Sequence, residues 1–259
     1  MRFCSLGSGS TGNALVVEAS SGTTTTRLLL DCGFSLREFE DRLGRAGLRP
    51  GDLDAVFVTH EHGDHVGCAV TLARRFGLAL WTSRGTWRAL GAPALPDGLL
   101  HFARDGERFA LGDLDIEPYT VPHDAAEPLQ LRCGDGARSL GVLTDTGAST
   151  VHLLGRLQHC DALVLECNHD TALLAQSRYP ASLKARIGGR HGHLDNGTAA
   201  DILAACRHDR LRHVVAAHLS EENNRPVLAA AALAAACGAA PDDIVVADAL
   251  VGVGWLDLA

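Results

Sequence analysis

The stretch "VFVTHEHGDH", Val56 to His65, sets three histidines and two acids directly behind a short apolar run. A strand that ends in H-x-H-x-D-H delivers four metal-competent side chains within six residues, on a rigid support. His60 and His62 can reach one ion. A tight turn at Gly63 redirects the chain, so Asp64 and His65 address a neighbouring position, and the layout suggests two adjacent divalent ions. The competing reading is a solvated polar turn with incidental members of the chain's 13 histidines. The order of the pattern behind a buried strand favours metal.

Other elements must hold such a site. β-type runs are predicted at Arg2–Leu6, Ala14–Glu18, Arg27–Asp31, Asp54–Thr59, Leu114–Val121, Leu129–Cys133, Ser139–Thr144, Ala162–Glu166, His213–Ala217 and Ile244–Ala247. "SLRE" at Ser35–Glu38 reads as a capping box opening a helix to about Ala46, and Val66–Phe76 has helical apolar spacing. Further helices are expected near Ser83–Leu90, Leu194–Cys206 and Pro226–Cys237. No Pro/Gly/Ser stretch is long enough to separate domains, so a single domain over residues 1–259 is expected.

Composition sets the class. With 46% hydrophobic and 21% charged residues, the chain reads as an ordinary globular protein rather than a disordered or fibrous one. The opening "MRFCSLGSGSTGN" has no apolar stretch before its glycines, which points away from a secretory signal and toward the cytoplasm. The small-apolar run Val227–Ala240 has 14 residues, short of the roughly 20 that a membrane span needs. Eight scattered cysteines without a C-x-x-C pair indicate neither a disulfide framework nor a zinc ribbon, and Cys32 and Cys167 read as small buried packing residues. A net charge of −8 argues against indiscriminate nucleic-acid binding, while a local cationic surface or bound metal still attracts phosphate.

"THEHGDH" resembles the signature of the metallo-β-lactamase fold superfamily. Together with "LGSGSTGN", "LLLDCG", "VPHDAAEP", "LTDTG", "LECNHD", "RYPASLKARI", "GHLDN" and "AHLSEENN", it is similar to the bacterial YycJ family, also called WalJ or VicX. The resemblance implies an α/β fold, a four-layer αββα sandwich of two mixed sheets with helices on the outer faces and the metals at one edge. It implies His123 beside His60 and His62 on the first ion, Asp145 bridging both, and His218 beside Asp64 and His65 on the second. Asp31 is then a carboxylate that orients a ligand histidine. The ions would be zinc or manganese, with iron also compatible with mixed imidazole and carboxylate ligands. Two such ions about 3.5–4 Å apart bring a water's pKa toward neutrality and clamp a phosphoryl oxygen, so hydroxide held between them is the expected nucleophile.

The family resemblance implies 5′-to-3′ exonuclease action on double-stranded DNA. Arg178, Lys184, Arg186 and Arg190 fall in one short stretch with Tyr179 available for stacking, which suits a nucleic-acid groove if that stretch folds over the edge; an ordinary solvated charge face is the alternative. His193 resembles a family histidine near the substrate and would protonate the leaving oxygen or bind phosphate, acting with Asp64 and Asp145 in catalysis. His169 and Asp170 either line the site or make local hydrogen bonds, and "GSGSTGN" offers backbone N–H groups to phosphate. Two other functions remain open from sequence. One is hydrolysis of a small phosphodiester, ester or thioester; the other is a non-catalytic, metal-stabilised nucleic-acid-binding module. No membrane partner is expected.

Overall fold

The computed structural model describes residues 1–258. Two seven-stranded sheets face each other. The first contains β1 (Arg2–Gly7), β2 (Ala14–Ser20), β3 (Thr25–Leu30), β4 (Ala55–Val58), β5 (Ala79–Thr82) and β6 (Leu100–Phe102) in that order. The second runs from β7 (Phe109–Leu111) through β8 (Leu114–Thr120), β9 (Leu129–Gly134), β10 (Ser139–Leu143), β11 (Ala162–Glu166) and β12 (His213–Ala217) to β13 (Val245–Val246). The last strand, β14 (Val253–Asp257), returns to the first sheet and pairs antiparallel with β1.

Alternation along β4 shows how the layers form. Ala55 and Phe57 pack into the core between the sheets with Leu28, Leu131 and Val164. Val56 and Val58 turn the other way, into a second core with Phe39, Leu43, Leu72 and Trp87. A strand buried on both faces reads as a continuous apolar run, which is why "AVFV" shows no polar alternation. The outer helices of this side are α1 (Leu36–Arg45), α2 (Gly63–Val66), α3 (Ala69–Phe76) and α4 (Arg84–Ala89). The second sheet is covered by α5 (Val151–Leu157), α8 (Asn196–Cys206) and α9 (Pro226–Cys237). Two short helices lie between α5 and α8 in sequence, α6 (Thr171–Gln176) before the basic stretch and α7 (Ala181–Ile187) within it. The layers are helix, sheet, sheet, helix, the αββα order anticipated. No helix among the described residues is long and apolar enough to cross a membrane.

Several local expectations change. The helix predicted over Val66–Phe76 is two helices, broken at Gly67 with φ 31°. A Cβ at Gly67 would lie 2.4 Å from the Cys32 carbonyl oxygen and 2.6 Å from the Phe34 nitrogen, so only glycine lets these segments touch. The capping box is half formed: Ser35 Oγ accepts from Glu38 N–H at 3.4 Å, but the Glu38 carboxylate turns to Arg42 at 2.8 Å. β5, β6, β7 and β14 were not anticipated, nor were α5, α6 and α7.

Gly33 packs still more closely, since a Cβ there would meet the Asp64 carbonyl oxygen at 1.8 Å. Gly33→Ala should therefore cost about 1–3 kcal/mol of stability through overpacking, read as a lower midpoint in urea unfolding. An unchanged midpoint would show that the 31–34 and 62–68 segments do not need this contact.

Candidate active site

The candidate residues gather just beyond the C-terminal ends of five strands. Asp31 follows β3, His60 to His65 follow β4, His123 follows β8, Asp145 follows β10 and His218 follows β12. Three of them break ordinary backbone preference: Asp31 (φ 60°), Asp145 (φ 50°) and His218 (φ 55°) all lie in the left-handed region. Such a conformation costs a non-glycine residue on the order of 1–3 kcal/mol and persists only where the surroundings enforce it. Here it turns each side chain off its strand toward a common centre.

Two groups of donor atoms result. In the first, His60 Nε2 lies 3.0 Å from His62 Nδ1, and His123 Nε2 lies 3.3 Å from the same atom. In the second, His218 Nε2 and His65 Nε2 lie 3.3 and 3.6 Å from Asp64 Oδ2. Asp145 sits between them, with Oδ2 at 2.8 Å from His65 Nε2 and Oδ1 at 3.6 Å from His218 Nε2 and 3.9 Å from His123 Nε2.

Four of the five imidazoles are oriented from behind. The Asp31 carboxylate accepts from His65 Nδ1–H at 2.8 Å and from the Thr59 hydroxyl at 2.9 Å, and Thr59 Oγ1 lies 2.9 Å from His60 Nδ1. The Gly192 carbonyl takes His123 Nδ1–H at 3.0 Å, and Glu166 Oε1 takes His218 Nδ1–H at 3.2 Å. Using Nδ1 as donor turns Nε2 of all four rings inward, the orientation that metal ligation requires.

This donor set fits divalent ions. Ligand nitrogens about 2.0–2.1 Å from one tetrahedral ion lie roughly 3.3 Å apart, the spacing of the first group. The buried Asp145 Oδ2 has no hydrogen-bond partner despite its closeness to His65. A buried carboxylate oxygen without a donor, set among inward-turned imidazole nitrogens, is what a bound cation would satisfy.

Charge is correspondingly concentrated. Burial opposes ionising Asp145, but His218 and His65 outweigh it and hold its carboxyl well below the usual range. Burial also opposes charging His218, yet Asp145, Asp64 and Glu166 prevail and push it up to about 10. For His60 burial wins, keeping that ring well below the ordinary imidazole value.

The basic segment does reach this edge. His193 Nδ1 lies 2.7 Å from Glu166 Oε1, and its ring stacks on His218 with centroids 5.4 Å apart. Arg186 Nε pairs at 2.6 Å with Asp124, whose other oxygen is 3.5 Å from His123 Nε2. Arg178 and Arg190 are exposed. Three expectations change. Lys184 Nζ donates to the Ala175 carbonyl at 2.6 Å, within the segment itself. His169, a candidate substrate contact, is buried at 3% exposure, where its backbone bridges to Asp195; of the two roles open to Asp170 it takes the local one, capping α6 by accepting from the Ala172 and Leu173 N–H groups. The N–H groups of Ser8, Gly9, Gly12 and Asn13 in "GSGSTGN" donate to Asp248, Asn13, Gly9 and Asp64, so the loop braces Asp64 rather than offering these donors to phosphate.

Glu166 and Asp124 were missed as site residues. A glutamate ending the fully buried strand "ALVLE" was the available signal, because buried carboxylates require partners. Asp124 had only its place beside His123.

Two imidazole-rich groups joined by an aspartate, at one edge of facing mixed sheets, define the metallo-β-lactamase-fold class. Residues 26–218 match the beta-lactamase superfamily domain. The chain is 36% identical over 231 residues to exodeoxyribonuclease YycJ of Bacillus anthracis, covering 88% of this chain and 86% of that one. It is 34% identical over 232 residues to exodeoxyribonuclease WalJ of Streptococcus pneumoniae, covering 88% and 85%. In architecture it is similar to the metallo-β-lactamase fold protein YhfI from Bacillus subtilis, with a TM-score of 0.73 over 98% of both chains at 15% identity. The chain belongs to the metallo-β-lactamase superfamily and, within it, to the YycJ/WalJ family.

Proposed function

We propose that residues 1–259 form one metallo-hydrolase domain that cleaves phosphodiester bonds of double-stranded DNA as a 5′-to-3′ exonuclease. The observation that carries this reading is the convergence of His60, His62, His123, Asp145, Asp64, His65 and His218 around the unpartnered Asp145 Oδ2, beside an arginine-bearing segment. The exodeoxyribonuclease relatives support the choice of substrate. His60, His62 and His123 would hold one divalent ion, Asp64, His65 and His218 a second, and Asp145 both. Zinc, manganese and iron all suit these ligands. When bound, such ions neutralise phosphoryl charge and lower the pKa of water toward neutrality.

The chain's own groups do the rest. Asp31, Glu166 and Gly192 hold the ligand rings in one tautomer, so no reorganisation is needed as charge develops. His193, anchored through Nδ1 to Glu166, offers Nε2 to the leaving oxygen as hydrogen-bond donor and acid. Arg186, set beside His123 by Asp124, and the exposed Arg178 and Arg190 receive the backbone phosphates flanking the scissile bond.

The test is release of mononucleotides from 5′-phosphorylated duplex by metal-loaded protein, with single-stranded and 3′-labelled controls. Duplex that binds but stays intact under every metal tried would overturn the reading. Charge reversal at Arg178 and Arg186 should weaken duplex cleavage, lower the salt dependence of binding by about one log unit per log unit of salt for each arginine lost, and spare a small chromogenic diester. Equal losses on both substrates would instead assign the arginines to folding or to a small-molecule site.

A further inference from the structure

The seven ligand candidates leave eight cysteines unused, and two of these are paired. Cys32 follows Asp31, Cys68 precedes α3, and their sulfurs lie 3.3 Å apart although 36 positions separate them in sequence. Among the described residues no other two sulfurs share such a contact. The backbones are already joined: Cys68 N–H donates to the Cys32 carbonyl at 3.2 Å, and Cys32 N–H to the His65 carbonyl at 2.8 Å. The hydrogen bond holds the two backbones side by side, as a disulfide, whose Cα atoms lie roughly 4.4–6.8 Å apart, requires. Forming the bond asks the sulfurs to close to about 2.05 Å.

We propose that Cys32 and Cys68 are a site of reversible oxidation, forming a disulfide that brackets the segment bearing His60, His62, Asp64 and His65. The co-reactant is a small-molecule disulfide. Cys68, at 8% exposure where Cys32 is at 0%, is the more reachable partner. Its thiolate attacks one sulfur of the small disulfide, breaking that S–S bond, forming a mixed disulfide and expelling one small thiolate. The Cys32 sulfur then attacks Cys68 Sγ, forming the Cys32–Cys68 bond and expelling the second thiolate. The two cysteine protons pass to the two departing thiolates, so two protein thiols are oxidised and one small disulfide is reduced to two thiols.

The experiment incubates reduced full-length protein with oxidised glutathione, alkylates remaining thiols in denaturant and maps the cross-linked peptides. The expected result is a mass lower by two hydrogens, one Cys32–Cys68 linkage, reversal by dithiothreitol, and a Tm higher by about 5 °C or more because a long loop is closed in the unfolded chain. Cys32→Ala should stop at a glutathione adduct on Cys68, and Cys68→Ala should give neither product. If either variant fails to fold, the map of the unsubstituted protein decides alone. Both thiols recovered in alkylated form, or linkage between other cysteines, would overturn the proposal.

Discussion

Asp145→Asn should fold and yet lose DNA hydrolysis by about 10³-fold or more, together with most of its bound metal. Asparagine tolerates the left-handed conformation that Asp145 adopts at φ 50°, and it keeps the side chain's shape. Only the charge goes. That charge faces His65, His218 and His123 from a position of 2% exposure, where solvent cannot replace it. An anion shared by two cations provides several kcal/mol of charge stabilisation, and 1.36 kcal/mol is a factor of ten in rate. Metal content by elemental analysis, circular dichroism and initial rates on 5′-phosphorylated duplex together check the prediction. A variant with full metal content and activity within tenfold would remove Asp145 from the centre of the mechanism.

Glu166→Gln is expected to lower metal affinity by about 10–100-fold, with kcat falling by about 10²–10⁴-fold. The direction follows from hydrogen-bond accounting. Glu166 Oε2 accepts backbone N–H groups from Thr146 at 2.8 Å and Leu194 at 3.4 Å, while Oε1 accepts from His193 and His218. A glutamine must turn its oxygen to the two backbone donors. Its NH₂ group then faces two imidazole N–H groups, donor against donor. Each ring escapes by moving its proton to Nε2, which for His218 fills the lone pair turned toward Asp64. Metal titration and single-turnover rates separate the two effects, and a glutamine variant within threefold of the parent in both would show that the carboxylate only fills space. Because Glu166 is fully buried, the variant's thermal stability belongs in the same experiment.

How much of this was legible beforehand varies by element. β4 announced itself because its two buried faces leave four apolar residues in a row, and the histidine pattern followed at once. α9 was readable from the proline at its start and the glycine beyond its end. β6 and β7 were not, since three residues are too few to show a period and both lie at sheet edges. The break in the helix after His65 was equally hidden: Gly67 looks like any helical glycine until the Cys32 carbonyl is found against it.

The residue types, their order and the apolar runs between them sufficed to propose His60, His62, Asp64 and His65 as a metal-binding unit, because those four are neighbours in the chain. What only the tertiary structure decided is long-range: that Glu166 serves His193 and His218 together, and that Asp124 ties Arg186 to His123. Sequence encodes local spacing directly. Contacts across 27 to 62 positions depend on strand register and on backbone turns such as those at Asp31, Asp145 and His218, which no local pattern displays.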